Sequence, residues 1–236
     1  NRGWGGEEKE QQAVVWWNKA INGGNSRAMV NLALHYSIGD YGLTQSDTKA
    51  NELYALACET GDSYARYNHG HRYNRGRAFQ SCIVDIDFNR CIELWEQSAK
   101  QGLLRAQFDL CEIYKYGSED NENGNPMTIP VNFPLHFKWA LAAAQQGHTV
   151  GQAHTAECYE NGWGVDSNET SAFEWSMKAA EHEDSISQFK IGQYFENGFG
   201  CDAIDLVQAL FWYRKAAGRG DQDASQDARE AIERLT

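Results

Sequence analysis

The chain has 236 residues, 42% of them apolar and 23% charged, enough to bury a substantial core in one or two domains. Lys and Arg number 21 against 33 Asp and Glu, a net charge of −12 that argues against nucleic acid as a partner, because phosphate neutralisation needs the opposite sign. No apolar run approaches the roughly 20 residues of a membrane span, which excludes membrane insertion by a helix.

A helical stripe opens the chain and then returns. In Ala13-Val-Val-Trp16-Trp-Asn-Lys-Ala20 a small, a bulky and a small residue stand at i, i+3 and i+7, on one face of a helix. The same stripe follows in chain order as Ala50/Leu53/Ala57, Cys91/Leu94/Ser98, His136/Trp139/Ala143, Ala172/Trp175/Ala179 and Ala209/Trp212/Ala216. These six segments are termed helix B. Eight residues after each comes another small residue: Ala28, Ala65, Ala106, Gly151, Ser187 and Ala224. A constant spacing means one turn geometry, reused.

The first five of these openers begin a second helix, helix A. It carries a further small residue (Ala33, Gly70, Cys111, Ala156, Gly192), then an aromatic (Tyr36, Tyr73, Tyr114, Tyr159, Phe195), then a glycine suited to a left-handed cap (Gly39, Gly76, Gly117, Gly162, Gly198). Small residues with a bulky aromatic between them describe two antiparallel helices in close contact. Neither covers its apolar face alone, so stacked neighbours must do it.

The resulting boundaries are a partial repeat 1–25, repeats 26–62, 63–103, 104–148, 149–184 and 185–220, and a cap helix 221–236, all in one solenoid domain. Gly3-Trp4-Gly5-Gly6 matches the loops Gly162-Trp163-Gly164-Val165 and Gly198-Phe199-Gly200-Cys201, which follow helix A, so one more helix is expected upstream. The insertion 118–134 holds all three prolines and reads as a surface loop or a partner-gripping arm. In the cap helix, Arg229 fills the small position and should face water.

These residues resemble the Sel-one-like repeat, a relative of the tetratricopeptide repeat. The small opener, the Leu32-Ala33 and Ile191-Gly192 pairs, the loop Gly162-Trp163-Gly164-Val165 and the helix Gln208-Ala209...Trp212-Tyr213-Arg214-Lys215-Ala216-Ala217 carry the resemblance. It implies an all-α fold, a right-handed α/α superhelical solenoid of helix pairs, and work as a scaffold or adaptor for other proteins. Some members inhibit secreted bacterial toxins or lipases as immunity partners, and cysteine-rich ones have been taken for hydrolases. Cysteine-rich members also join the end of helix B to the next helix A; here Cys58 meets Arg66 at the second position, so that framework is absent. The family's settings include endoplasmic-reticulum quality control, fungal wall synthesis and bacterial envelope or secretion systems; the repeat does not choose among them, and the expected place is the bacterial cytoplasm, periplasm or envelope rather than the endoplasmic-reticulum lumen.

Trp16, Trp139, Trp175 and Trp212 recur at one structural position and are expected in the core. Trp163, in a glycine-rich loop, is a candidate partner anchor. Cys91 and Cys111 occupy small core positions and read as buried thiols; Cys82 and Cys91 could bridge across their loop. Local metal-ligand and nucleophile motifs are absent, so no metal, cofactor or catalytic residue is expected. Asn168-Glu-Thr170 matches a glycosylation sequon.

Two rows of helix A are left over after packing. Three residues past the opener stand Asn31, Asn68, Asp109, His154 and Lys190; six past stand Leu34, His71, Glu112, Glu157 and Gln193. By analogy with tetratricopeptide repeats these rows face a groove, where Asn31 and Asn68 would bond a peptide backbone and His71 and Arg75 an acidic group. The expected partner is a protein or extended peptide, bound by a monomer or within a larger complex. Residues 119–236 hold 8 basic against 19 acidic side chains, so a basic patch on the partner would be steered to that half.

Overall fold

The computed structural model describes residues 7–74, 87–117, 129–201, 203–218 and 222–236. Within them lie twelve helices and no strand: α1 Glu7–Asn22, α2 Ser26–Ile38, α3 Asp47–Glu59, α4 Ser63–Asn74, α5 Phe88–Lys100, α6 Leu104–Tyr116, α7 Phe133–Gln145, α8 Thr149–Asn161, α9 Glu169–Glu181, α10 Ser185–Asn197, α11 Leu206–Ala217 and α12 Gln222–Leu235. Even-numbered helices are helix A and odd-numbered ones helix B. The described residues up to 106 form one compact unit and those from 107 a second.

The turn from helix B to helix A is the same object each time. The backbone N–H of Asn25, Leu103, His148 and Asp184 donates to the carbonyl five residues back, on Ala20, Ser98, Ala143 and Ala179. The residue before it has positive φ, as at Gly24 (79°), Gly102 (88°) and Gly147 (82°), but Glu183 takes the position at 71°. A side chain in that conformation is strained, so Glu183→Gly is expected to raise stability by about 0.5–1 kcal/mol in urea denaturation.

The turn from helix A to helix B closes just as regularly. Gly39, Gly162 and Gly198 cap their helices in the left-handed region. The N–H of Ser46, Asn132, Asn168 and Asp205 then donates to the carbonyl of the helix A aromatic, on Tyr36, Tyr114, Tyr159 and Phe195, at 2.8–2.9 Å. Each of these four residues also accepts from the first turn of the helix it opens, as a side-chain cap should. Because Asn132 closes on Tyr114 like its counterparts, the insertion leaves the frame unchanged. Asn168 of the sequon is one of these caps.

Within the first unit α2 packs on α3 and α4 on α5; within the second α7 packs on α8, α8 on α9, and α10 on α9 and α11. The small positions are the crossing points. Ala33, Ala50, Ala57, Ala65, Ala143, Ala172, Ala179, Ala209 and Ala216 are fully buried. A Cβ on Gly70 would stand 2.6 Å from the Trp95 ring, and one on Gly192 would stand 2.5 Å from the Tyr213 ring. Arg229 in α12 is exposed.

One expectation fails. Trp139 and Trp212 are buried and Trp175 is half-buried beneath the Lys178 ammonium, but Trp16 is 66% exposed. Trp212 owes its burial to Ala180 of α9 and to Ile191 and Tyr194 of α10, the two helices before its own. Among the described residues Trp16 has no counterpart of those neighbours. Cys91 is fully buried, and the bridge suggested for it involves Cys82, which lies outside the described residues.

Candidate functional site

In the first unit the two rows divide. Asn31 and Leu34 stand exposed on α2, with Ile38, one turn on, also exposed. On α4, Asn68 is half-buried and its Nδ2 donates to the Tyr64 carbonyl at 2.7 Å, within its own helix. His71 is half-buried too, edge-on to Tyr67 and Trp95 at ring distances of 4.5 and 4.9 Å. Arg75 lies outside the described residues. Three residues earlier Arg72 reaches across to α3, donating to Asp47 Oδ1 at 2.7 Å and to Asn51 Oδ1 at 2.9 Å. Part of the basic character of this helix is therefore spent on holding the fold together.

Beneath Arg72, His69 is buried with its ring stacked on Tyr54, near Tyr73, and its Nδ1 3.6 Å from the Cys58 sulfur. Burial, helped by the positive charges of Arg90 and Arg72, pushes its pKa down to about 4. The folded protein thus refuses a proton that the unfolded chain accepts near pH 6.5. Stability should fall as pH drops from about 6.5 towards 4, by at most about 3 kcal/mol from this residue. Urea midpoints at the two ends of that range are expected to differ less for His69→Leu than for the unaltered protein.

In the second unit the rows meet in one polar group. His154 Nε2 lies 2.7 Å from Glu112 Oε1, and Nδ1 lies 3.4 Å from Glu157 Oε2. Lys115 donates to Glu157 Oε2 at 2.5 Å, and its Nζ also lies 3.1 Å from His154 Nδ1. Burial would lower the His154 pKa, but the two carboxylates outweigh it and hold the pKa above its ordinary value. Burial also opposes charge on Glu157, yet its bonds to His154 and Lys115 pull its pKa down to about 2. Asp109 is half-buried, Lys190 is paired with Glu160 of the neighbouring helix A, and Gln193 is exposed.

Trp163 is drawn inward. Its ring stacks on Phe133 at 4.9 Å and 13° from parallel, with Lys115 Nζ 5.9 Å from it. The loop anchor thus packs on the start of α7.

The sequence reading missed Lys115, which lies one turn beyond the second row on α6. It also missed a groove of about 810 Å³ between α9 and the loop entering α11, lined by Phe173, Met177, Phe195, Ile204, Leu206 and Val207 among others. Ile204 and Val207 are 63% and 77% exposed, which is unusual for aliphatic side chains standing together. Among the described residues no helix is long and apolar enough to cross a membrane.

The model of the Sel1 repeat matches residues 1–25, 26–62, 63–103, 104–148, 149–184 and 185–221. Among solved structures, the chain is similar to a protective antigen present in uropathogenic Escherichia coli strains and displaying an SLR fold. The identity is 26% and the TM-score 0.74, over 95% of this chain and 44% of that one. The chain thus spans less than half the length of that antigen. A Sel1 repeat protein from Oxalobacter formigenes shares the fold at 21% identity and a TM-score of 0.64, over 84% of this chain and 74% of that one. Among curated proteins none matches the chain.

Proposed function

Because the chain belongs to the Sel1 repeat family, a fold of the protein-interaction scaffold type, we propose that it holds another protein or an extended peptide on its helix A faces and A-to-B loops. The observation that carries this reading is the set of apolar and amide side chains that the core leaves unused there. Asn31, Leu34 and Ile38 line one exposed strip of α2, and Ile204 of the A-to-B loop, with Val207 just inside the helix B that follows, borders the groove beside α9. An aliphatic patch rimmed by polar groups gains free energy only when something covers it. The acidic excess of residues 119–236 favours a partner that brings basic residues to the second unit. Activity without catalysis follows from the same reading.

Affinity capture from the native cells tests it. The unaltered chain should retain a partner that is lost from Leu34→Asp/Ile38→Asp or from Ile204→Asp/Val207→Asp, with circular dichroism unchanged in both. Capture unaffected by both double variants would refute the assignment. An inhibitor would give a single one-to-one complex in which the captured enzyme loses activity, whereas an assembly scaffold would give several partners.

A further inference from the structure

We propose that the second unit binds one zinc-type divalent cation between α6, α7 and α8, on Cys111, Glu112, His136 and His154. The Cys111 sulfur, a Glu112 carboxylate oxygen and a His154 ring nitrogen lie within 4.8 Å of one another. His136 comes from the third helix, with Nδ1 3.4 Å from that sulfur and its ring 5.4 Å from the His154 ring. A four-coordinate zinc site, with Zn–S near 2.3 Å and Zn–N near 2.0–2.1 Å, sets sulfur and nitrogen about 3.5 Å apart. The observed separation already fits.

His136 itself calls for a reason. It fills the position taken by Ala50, Cys91, Ala172 and Ala209 in other copies of helix B, and it is fully buried there. Nδ1 donates to the Cys111 carbonyl at 2.9 Å, while Nε2 has no hydrogen-bond partner among the described residues. A large polar ring buried in a slot built for a methyl group costs stability unless the ring does something else. As a ligand, His136 would give up its bond to the Cys111 carbonyl, shift its proton to Nε2 and offer Nδ1 to the metal.

The remaining geometry follows the same chemistry. Glu112 and His154 Nε2, now 2.7 Å apart across a shared proton, would open to about 3.3 Å with the metal between them. His154 Nδ1–H would then donate to Glu157, the Lys115 ammonium giving up its 3.1 Å approach to that nitrogen and keeping its bond to the carboxylate, the support common to metal-bound histidine. Thiolate, carboxylate and dication sum to zero charge, which suits a partly buried place. A thiolate with two imidazoles selects zinc-type ions over calcium or magnesium, which prefer oxygen. Loading releases one proton from the Cys111 thiol, and a second when His154 starts protonated.

The test uses the full chain, stripped with a chelator and titrated with Co²⁺. One equivalent should give the visible bands of four-coordinate cobalt and a near-ultraviolet sulfur-to-cobalt band, both abolished by added Zn²⁺. Cys111→Ser should lose the sulfur band and Cys201→Ser should keep it. Glu112→Gln, altered at a half-exposed position that leaves the core intact, should bind at least about tenfold more weakly. Zn²⁺ should raise the melting temperature of the unaltered chain and leave that of His154→Gln unmoved. No cobalt spectrum at one equivalent, a sulfur band that survives Cys111→Ser, or Glu112→Gln binding as tightly as the unaltered chain would each overturn the proposal.

Discussion

Trp139→Ala is expected to lower the free energy of unfolding by about 3–5 kcal/mol, whereas Trp16→Ala, at the same place in the repeat, should change it by less than about 0.5 kcal/mol. Trp139 is 2% exposed and Trp16 66%. The buried indole N–H of Trp139 has no hydrogen-bond partner among the described residues, so truncation sacrifices packing and leaves a cavity the width of the ring. At Trp16 most of the ring already touches water, and what it gives up is partial contact with the Lys19 ammonium 4.6 Å away. Urea denaturation of the two variants side by side checks the contrast. Equal losses would mean that position in the repeat, rather than burial, sets the energy.

Gly164→Ala should cost about 3 kcal/mol or more, and Gly162→Ala, two residues earlier, only about 1–2 kcal/mol. Both glycines have φ near +70°, so both substitutions meet the left-handed penalty. They differ in what surrounds them. A Cβ on Gly164 would lie 2.3 Å from the Phe133 carbonyl oxygen and 2.6 Å from the Pro134 nitrogen, backbone atoms of the first turn of α7 that cannot swing aside. Around Gly162 nothing approaches closer than 3.6 Å. Gly200 repeats the Gly164 arrangement one repeat later, 2.3 Å from the Glu169 carbonyl oxygen, so Gly200→Ala should behave like Gly164→Ala. Thermal denaturation reads all three, and equal shifts at Gly162 and Gly164 would show that the close approach carries no energy.

How much was legible in the sequence depends on how local the demand is. A left-handed cap at Gly162 or a crossing point at Ala143 constrains one position whatever lies around it, so these recur at fixed spacing and can be read off. The cap that opens helix B, as at Ser46, Asn132 and Asp205, stands at constant spacing too, but it is polar and leaves no trace in an apolar pattern. Burial of the repeated tryptophan depends on neighbours in the preceding repeat, which is why Trp16 departs from Trp212. The candidate residues show the same division. The rows on helix A were visible, yet the bonds Glu112–His154 and Lys115–Glu157 each join residues 42 apart, and only the stacking of α6 and α8 shows that they close on one another. A search for short ligand spacings likewise passes over Cys111 and His136, which are 25 residues apart. Trp163 looked like a free anchor because its glycine-rich setting is that of a loop; Phe133, which its ring covers, is thirty positions upstream.

The central claim is that the helix A side of this chain grips another protein, and photo-crosslinking in the native cells tests it most directly. A photoreactive residue would be placed at Leu34 or Gln193 on helix A and, for comparison, at Glu52 or Lys178 on helix B, all four exposed. Adducts of one defined mass from the helix A positions and none from the helix B positions are the predicted result. Adducts confined to Glu52 and Lys178 would contradict it.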